Sequence, residues 1–346
     1  MASATAQTVD ATALRAITSR LLVAVGTPQH IGDVVASVLV GANLAGHDSH
    51  GVLRVPKYVE AIVSGRIRAA AEPGILRESD ATLSIDGQHG CGHYGAQKSM
   101  EWAIGKAKKA GVCAVSFSNL GHIGRLGHYA EQAAAAGCVG LIAYGKGRGD
   151  GALTVPFGGG EGRLGSNPIA AGVPTGGAVP FVLDIATSVV AEGKLQVARS
   201  KNQDLPEGYI VDKDGQPSTK TADFYDGGHL LPVGGHKGYG LSILACLLGA
   251  LGGDFDAAVS GFSGTFMQVI DIDAFTPSDQ FQRNARSFLD MLKETPSGPG
   301  FDQVQVPGDF EFQNRAQWTA EGISLPILIY KELRACAEEL EVAFDL

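Results

Sequence analysis

Paired cysteines, excess basic charge and long apolar runs are all missing from this chain, and each shortage removes a class of answer. Its five cysteines, Cys91, Cys113, Cys138, Cys246 and Cys336, are odd in number, widely spaced and form no C-x-x-C pair. That argues against a disulfide frame or a thiolate zinc site and fits reduced thiols in the cytoplasm. The nine histidines show no H-x-x-x-H pair with an acidic third ligand, so no metal site is expected. With 27 Lys and Arg against 36 Asp and Glu, the formal net charge is -9, and neither nucleic acid nor an anionic membrane is the expected partner. A local basic pocket for a small anion stays open. The longest apolar run, YGLSILACLLGALGG, is too short for a membrane span and reads as a buried helix. The opening MASATAQTVDATALRAITSRLL shows no basic region followed by an adequate apolar core, so no secretory signal is expected.

Glycine, at 48 of 346 residues, is what the chain has in quantity. Apolar periodicity predicts helices over 8–25 and 28–45, with Thr27 as N-cap and Pro28 at the first helical position. ATLSID, AQKSMEWAIGKAKKAG and VCAVSFSN read as strand, helix and strand, followed by a helix in GHYAEQAAAAG and a strand in VGLIAY. Beyond Tyr144, GKGRGDGALTVPFGGGEGRLGSNPIAAGVPTGG predicts turns and short strands. VPFVLDI reads as a strand ending at Asp184, then ATSVVAEGKLQVARSKN as a helix. Residues 272–300 predict a strand and a helix, and ISLPILIYKELRACAEEL a last helix. The fold class is mixed α/β. The expected division is a helical segment over 1–72, an α/β domain from 73–118 with 296–346, and a Gly-rich domain over 119–295.

Gly90, Gly92 and Gly95 in GCGHYG match G-x-G-x-x-G between a strand and a helix. A dinucleotide fingerprint of this kind also needs an acidic residue about 20 positions on. No Asp or Glu occurs between Glu101 and Glu131, so the favoured reading is a tight, closely packed turn.

Four other stretches could carry chemistry. In HDSHGVLR, a helix would put His47, His50 and Arg54 on one face, where Arg grips a carboxylate and His moves a proton. The competing reading is ordinary helix punctuation, with Ser49 as a cap. In SNLGHIGRLGHYAEQ, His122 and Arg125 sit among glycines ahead of a helix; an anion site and a solvated turn are equally open. Lys146 follows the strand VGLIAY, either as a functional group at a strand end or as a surface lysine. In LPVGGHKGYG, His236 and Lys237 precede an apolar helix, where positive charge opposes the helix dipole unless an anion binds. Asp184 could hold ribose hydroxyls or cap the next helix.

Taken in order, GHDSHGVLRVPKY, SNLGHIGRLGHYAEQA, VPFGGGEGRLGSNPIA, VLDIATSVVAEGK, PEGYIVDKDGQPST, PVGGHKGYGLSI and VPGDFEF...EGISL resemble the malate/L-lactate dehydrogenase family. This family is distinct from the Rossmann-type malate and lactate dehydrogenases, and the resemblance covers nearly the whole chain. It implies a non-Rossmann NAD(P)-binding fold, with NAD or NADP in the Gly-rich domain over 119–295. It further implies a homodimer that interconverts a small anionic 2-oxo acid and a 2-hydroxy acid. Position by position, His50 matches a proton donor, Ser49 and Arg54 its substrate-binding partners, and His122 a second catalytic histidine. Lys146 resembles the ureidoglycolate type, where many members carry Thr-Asn-Ser. Asp184, Ile185, Ala186, Ser188, His236, Lys237, Gly308 and Asp309 match cofactor-lining positions, Asp309 standing for the more usual Glu. The implied mechanism has Arg54 fixing the carboxylate, Ser49 and Lys146 polarising the 2-oxo group, and protonated His50 or His122 delivering a proton. The alternatives are a cyclic imine acid reductase of the piperideine/pyrroline-2-carboxylate type and a non-catalytic small-molecule binding protein.

Overall fold

The computed structural model describes residues 6–147, 152–200, 202–252 and 262–346, so part of the GKGRGDG stretch lies outside the described residues. Strand β1 (Ala6–Val9) leads into helices α1 (Ala11–Ala24) and α2 (Gln29–Leu44), two 3-10 turns at Asp48–His50 and Val52–Arg54, and helix α3 (Val55–Val63). Asp10 caps α1, its carboxylate accepting from the Thr12 and Ala13 amides at 2.8 and 2.9 Å. The cap expected of Thr27 on α2 is not made: Pro28 takes that position and the Thr27 hydroxyl is buried without a partner.

The next elements are β2 (Gly74–Glu78), β3 (Thr82–Asp86), α4 (Gly92–Ala110), β4 (Val112–Ser118), α5 (Gly127–Ala135), β5 (Cys138–Gly147), β6 (Ile169–Val173) and β7 (Phe181–Ile185). They are followed by α6 (Glu192–Ser200), β8 (Ile210–Val211), β9 (Pro217–Ser218), α7 (Thr221–Tyr225), β10 (His229–Leu230) and α8 (His236–Gly249). The chain ends with β11 (Phe262–Asp271), α9 (Ser278–Lys293), α10 (Asp309–Glu321), β12 (Ile323–Pro326) and α11 (Ile327–Glu339).

Seven strands form one mixed sheet in the order β2-β3-β4-β11-β5-β6-β7. Only the β3/β4 pair, connected through α4, is parallel; the other pairs in that order are antiparallel. This is not the parallel, doubly wound sheet of a Rossmann domain. Alternation along β4 buries Cys113, Val115 and Phe117 against the α4 and α5 residues Met100, Ala103, Tyr129 and Ala130. A second core joins Leu14, Ile17 and Leu39 of the first helices to Leu325 and Leu333 near the C-terminus. Antiparallel pairing of β1 with β12 closes the chain ends together. A small third core, around Leu195, Ile210 and Leu230, underlies a sheet ordered β10-β8-β9.

This grouping departs from the expected domains. Residues 74–118 share a sheet with 138–185 and 262–271, while the C-terminal residues pack on the N-terminal helices. The reason is non-local: β11 returns through the sheet to lie between β4 and β5. Local expectations also shift. The helix expected after Asp184 begins only at Glu192, because residues 187–189 hydrogen-bond to the 231–233 segment. Pro326 divides the last predicted helix into β12 and α11, and the strand expected from 272 ends at Asp271.

Helix α8 was expected to be buried, yet Leu241, Leu244 and Leu247 are exposed, Leu247 by 60%. Its other face lies so close to β5 and β11 that a β-carbon on Gly145 would stand 2.3 Å from the Cys246 Cα, and one on Gly249 2.6 Å from the Gly264 carbonyl oxygen. Gly145→Val should therefore cost about 1–3 kcal/mol through overpacking, read as a lower midpoint in urea unfolding. Gly105→Ala, in open space on α4, should raise that midpoint by up to about 1 kcal/mol equivalent. Equal behaviour of the two variants would show that the α8 contact does not need glycine.

Candidate active site

Gly51 interrupts the helix predicted through HDSHGVLR. Its backbone is extended, and a β-carbon there would lie 2.3 Å from Asn43 Oδ1. Asn43 staples the segment: Oδ1 accepts from the Val52 amide at 2.9 Å and Nδ2 donates to Asp48 at 2.6 Å. The break separates the residues expected on one face. His47 pairs with Glu311 of α10 at 2.9 Å, whereas His50 and Arg54 remain neighbours. Arg54 donates from Nε to the Ser49 carbonyl at 2.7 Å, and its two Nη groups have no hydrogen-bond partner among the described residues. The Ser49 hydroxyl lies 3.1 Å from His50 Nδ1.

His122 arrives from the other core, on the loop between β4 and α5. GCGHYG makes this possible. A β-carbon on Gly92 would stand 2.4 Å from the His122 carbonyl oxygen, and one on Gly90 2.7 Å from that of Ala71. These glycines serve close packing, as the missing acidic partner suggested. The His50 and His122 rings stack with centroids 5.7 Å apart and planes inclined by 11°. Tyr58 of α3 lies 2.7 Å from His122 Nδ1, and buried His93 of α4 meets both Tyr58 and His122 edge-on at 5.3 and 5.9 Å.

Sequence reasoning singled out neither Tyr58 nor His93. Tyr58 is one helical turn beyond Arg54, and His93 sits inside the glycine motif, so spacing held the only signal.

His93 is buried, His50 and Tyr58 are half-buried and His122 keeps an exposed face, yet the packed surroundings disfavour the charged form of each ring. Desolvation first, then the neighbouring His122 and Arg54, lowers the His50 pKa to about 3. Desolvation and Arg54 lower His122 to about 4, while desolvation also lowers His93 and raises Tyr58. At neutral pH the free site therefore holds three neutral imidazoles, a protonated phenol and the Arg54 cation.

Lys146 sits near the end of β5, opposite Ser263. Its amide donates to Asn167 Oδ1 at 2.7 Å, and Asn167 Nδ2 donates to Ser242 Oγ at 2.8 Å and Cys246 Sγ at 3.2 Å, both on α8. Fully buried, with φ of 38°, Asn167 thus ties this strand end to the helix that begins with His236 and Lys237. Gly234 and Gly235 precede that helix with φ of 59° and 63°, a left-handed turn open to glycine. Both His236 and Lys237 are exposed.

Asp184 bonds to a segment distant in the chain. It accepts from the Gly127 amide at 2.7 Å and so caps α5 rather than the helix that follows it in sequence. Buried Arg125 lies beside it, one Nη donating to Glu131 at 2.5 Å while Nε and the other Nη have no partner among the described residues. Ile185 is exposed, Ala186 half-buried, and the Ser188 hydroxyl donates to the Val190 carbonyl at 2.9 Å. Gly308, with φ of 104°, packs on Pro180, and buried Asp309 accepts from Lys293 at 2.7 Å and the Val306 amide at 3.0 Å. Both Asp309 oxygens therefore hold the α9–α10 corner together.

A cleft of about 680 Å³ is lined by His128, Glu131, Gln132, Thr175 and Arg315, among others, and includes neither His50 nor His122. Among the described residues, no group of three or more His, Cys, Asp or Glu converges as a metal site, and no helix is long and apolar enough to cross a membrane.

The malate/L-lactate dehydrogenase family model matches residues 9–334. Malate dehydrogenase of Pyrococcus horikoshii is 36% identical over 338 residues, covering 93% of this chain and 92% of that protein. L-sulfolactate dehydrogenase of Methanothermobacter thermautotrophicus is 33% identical over 340 residues, covering 95% and 96%. The crystal structure of malate dehydrogenase from Entamoeba histolytica superimposes with a TM-score of 0.92 at 26% identity, over 99% of this chain and 100% of that one. With this match running from the first strand into the last helix and taking in the whole histidine cluster, the chain belongs to the malate/L-lactate dehydrogenase family.

Proposed function

We propose that this oxidoreductase interconverts a small 2-hydroxy acid and its 2-oxo acid at the Ser49, His50, Arg54 and His122 cluster. The observation that carries the reading is the Arg54 guanidinium, anchored through Nε with both Nη groups unpaired among the described residues, beside two stacked neutral imidazoles. A carboxylate can take the two Nη donors as a planar pair. The adjacent hydroxyl or oxo oxygen then falls to the imidazoles and Ser49. A neutral imidazole accepts a proton, which suits oxidation of the hydroxy acid directly. In the reductive direction an imidazole takes up a proton from solvent as the anionic substrate binds, because the substrate's negative charge favours the imidazolium, and passes that proton to the oxo oxygen. Lys146 is assigned to polarising the 2-oxo group.

A bound nicotinamide supplies the two-electron chemistry. The residues present fit such a group: Gly234 and Gly235, both at positive φ, lead into the N-terminus of α8, where the helix dipole favours an anion, and exposed Lys237 adds a cation where a diphosphate would be favoured. Asp184, Ile185, Ala186 and Ser188, with His236, Gly308 and Asp309, are assigned to lining the same cofactor within residues 119–295 and the C-terminal corner. The exposed leucines of α8 support a homodimer. The buried free cysteines support a reducing, cytoplasmic setting.

Purified protein incubated with NADH or NADPH and, in turn, pyruvate, oxaloacetate, sulfopyruvate, an oxamate-like acid and piperideine-2-carboxylate should oxidise the cofactor with an oxo acid. Turnover of the imine alone would replace the reading with an imine acid reductase, and cofactor binding with no turnover would favour a binding protein. His50→Ala and His122→Ala should each lower kcat by about 10²–10⁴-fold, the usual contribution of a positioned acid or base. Arg54→Ala should lower kcat/KM by about 10–100-fold, as loss of a charge-assisted bond does.

The pH dependence has a definite sign. Because desolvation and Arg54 hold His122 at about 4, kcat/KM for hydroxy-acid oxidation should stay level as pH falls through the ordinary 6.5, with its acid limb near 4. Protein stability should be complete above pH 6.5 and decline toward pH 4, since the unfolded chain takes up protons before the folded one. An acid limb at 6.5, with stability flat below it, would mean that the rings are not desolvated.

A further inference from the structure

Tyr58 reaches His122 from a different element, its hydroxyl 2.7 Å from one nitrogen of that ring. Its hydroxyl has one proton to donate, and its partner among the described residues is His122 Nδ1 at 2.7 Å. Desolvation keeps the phenol protonated, and leaving its proton undonated is unfavourable. A neutral imidazole has one donor and one acceptor nitrogen, so a ring that accepts at Nδ1 bears its hydrogen at Nε2. His93 cannot take this role: its own Nε2 is buried without a partner, and it packs edge-on against both rings.

We propose that Tyr58 is a positioning residue for His122: by donating to Nδ1 it sets the plane of the ring and places the N–H on Nε2, the nitrogen left to face the substrate oxygen. This rests on the 2-hydroxy-acid reading of the cluster. In the free protein His122 then acts as a hydrogen-bond donor. His50, whose Nδ1 meets the Ser49 hydroxyl, is the ring able to keep a free Nε2 lone pair. That division separates two histidines which the sequence presents as interchangeable. The groups facing His122 are Tyr58 from α3, His93 from α4, and His50 and Arg54 from the 3-10 turns; Tyr58 also faces Cys91.

Tyr58→Phe removes the hydroxyl and keeps the ring that packs on the helical core. It should lower kcat by about tenfold, the scale of one neutral hydrogen bond, and leave KM within about twofold. Because the lost bond favours the neutral ring, the His122 titration midpoint should rise from about 4 toward the ordinary value. In a His122→Asn background, Tyr58→Phe should cause no further loss. Nitrogen NMR of isotope-labelled imidazoles reads the tautomer without turnover: wild-type His122 should show a protonated Nε2 and an unprotonated Nδ1. A protonated Nδ1 in the neutral wild type, or unchanged kcat and midpoint in Tyr58→Phe, overturns the assignment. If Tyr58→Phe does not fold, the wild-type spectrum decides alone. If the wild type turns over none of the acids, the proposed function fails, while the spectrum still decides the tautomer.

Discussion

The site depends on a contact with no room for a side chain. The first turn of α4 lies against the backbone of Gly121 and His122, and Gly92 makes that approach possible. Helix α4 belongs to both large cores: Tyr94 packs with the N-terminal helices, while Ala96 and Met100 pack beneath the seven-stranded sheet. Where these cores meet, His50 and Tyr58 from one side stand against His122 from the other. A β-carbon at this seam would separate the two halves of the chemistry.

Charge in the cluster follows from the same packing. Buried His93, half-buried His50 and His122, which keeps an exposed face but lies beside the Arg54 guanidinium, are all held below their ordinary pKa and stay neutral at pH 7. An anionic substrate would find one fixed cation and several polarisable donors and acceptors already placed. Little reorganisation is then needed when it binds. Several groups at the seam have a local anchor: Asn43 for the Asp48–Arg54 turns, Ser49 for Arg54 and Tyr58 for His122.

The region assigned to the cofactor is built by long-range bonds. Asn167 joins the strand end of Lys146 to α8, and Asp184 joins the end of β7 to the start of α5. Glu131 accepts from both Arg125 and Arg315, and so links α5 to α10. These polar links lie around the sheet's β5-β6-β7 side, where apolar packing alone would leave the relative position of loops and helices poorly determined.

By itself the sequence determined the mixed α/β class, most strands and helices of the sheet, and the types of residue able to do the chemistry. Period-two alternation in VCAVSFS and helical spacing in EWAIGKAKKA are local properties and survive folding unchanged. It also favoured a packing turn over the fingerprint reading of GCGHYG, because the acidic partner is absent. What lay beyond it was non-local. The return of β11 into the sheet, the closure of the C-terminus on the first helices, the turning of His47 toward Glu311, and the arrival of Tyr58 and His93 at His122 join residues far apart in the chain. Only the tertiary structure decided these, since each depends on which surfaces pack together and how closely a glycine lets two backbones approach.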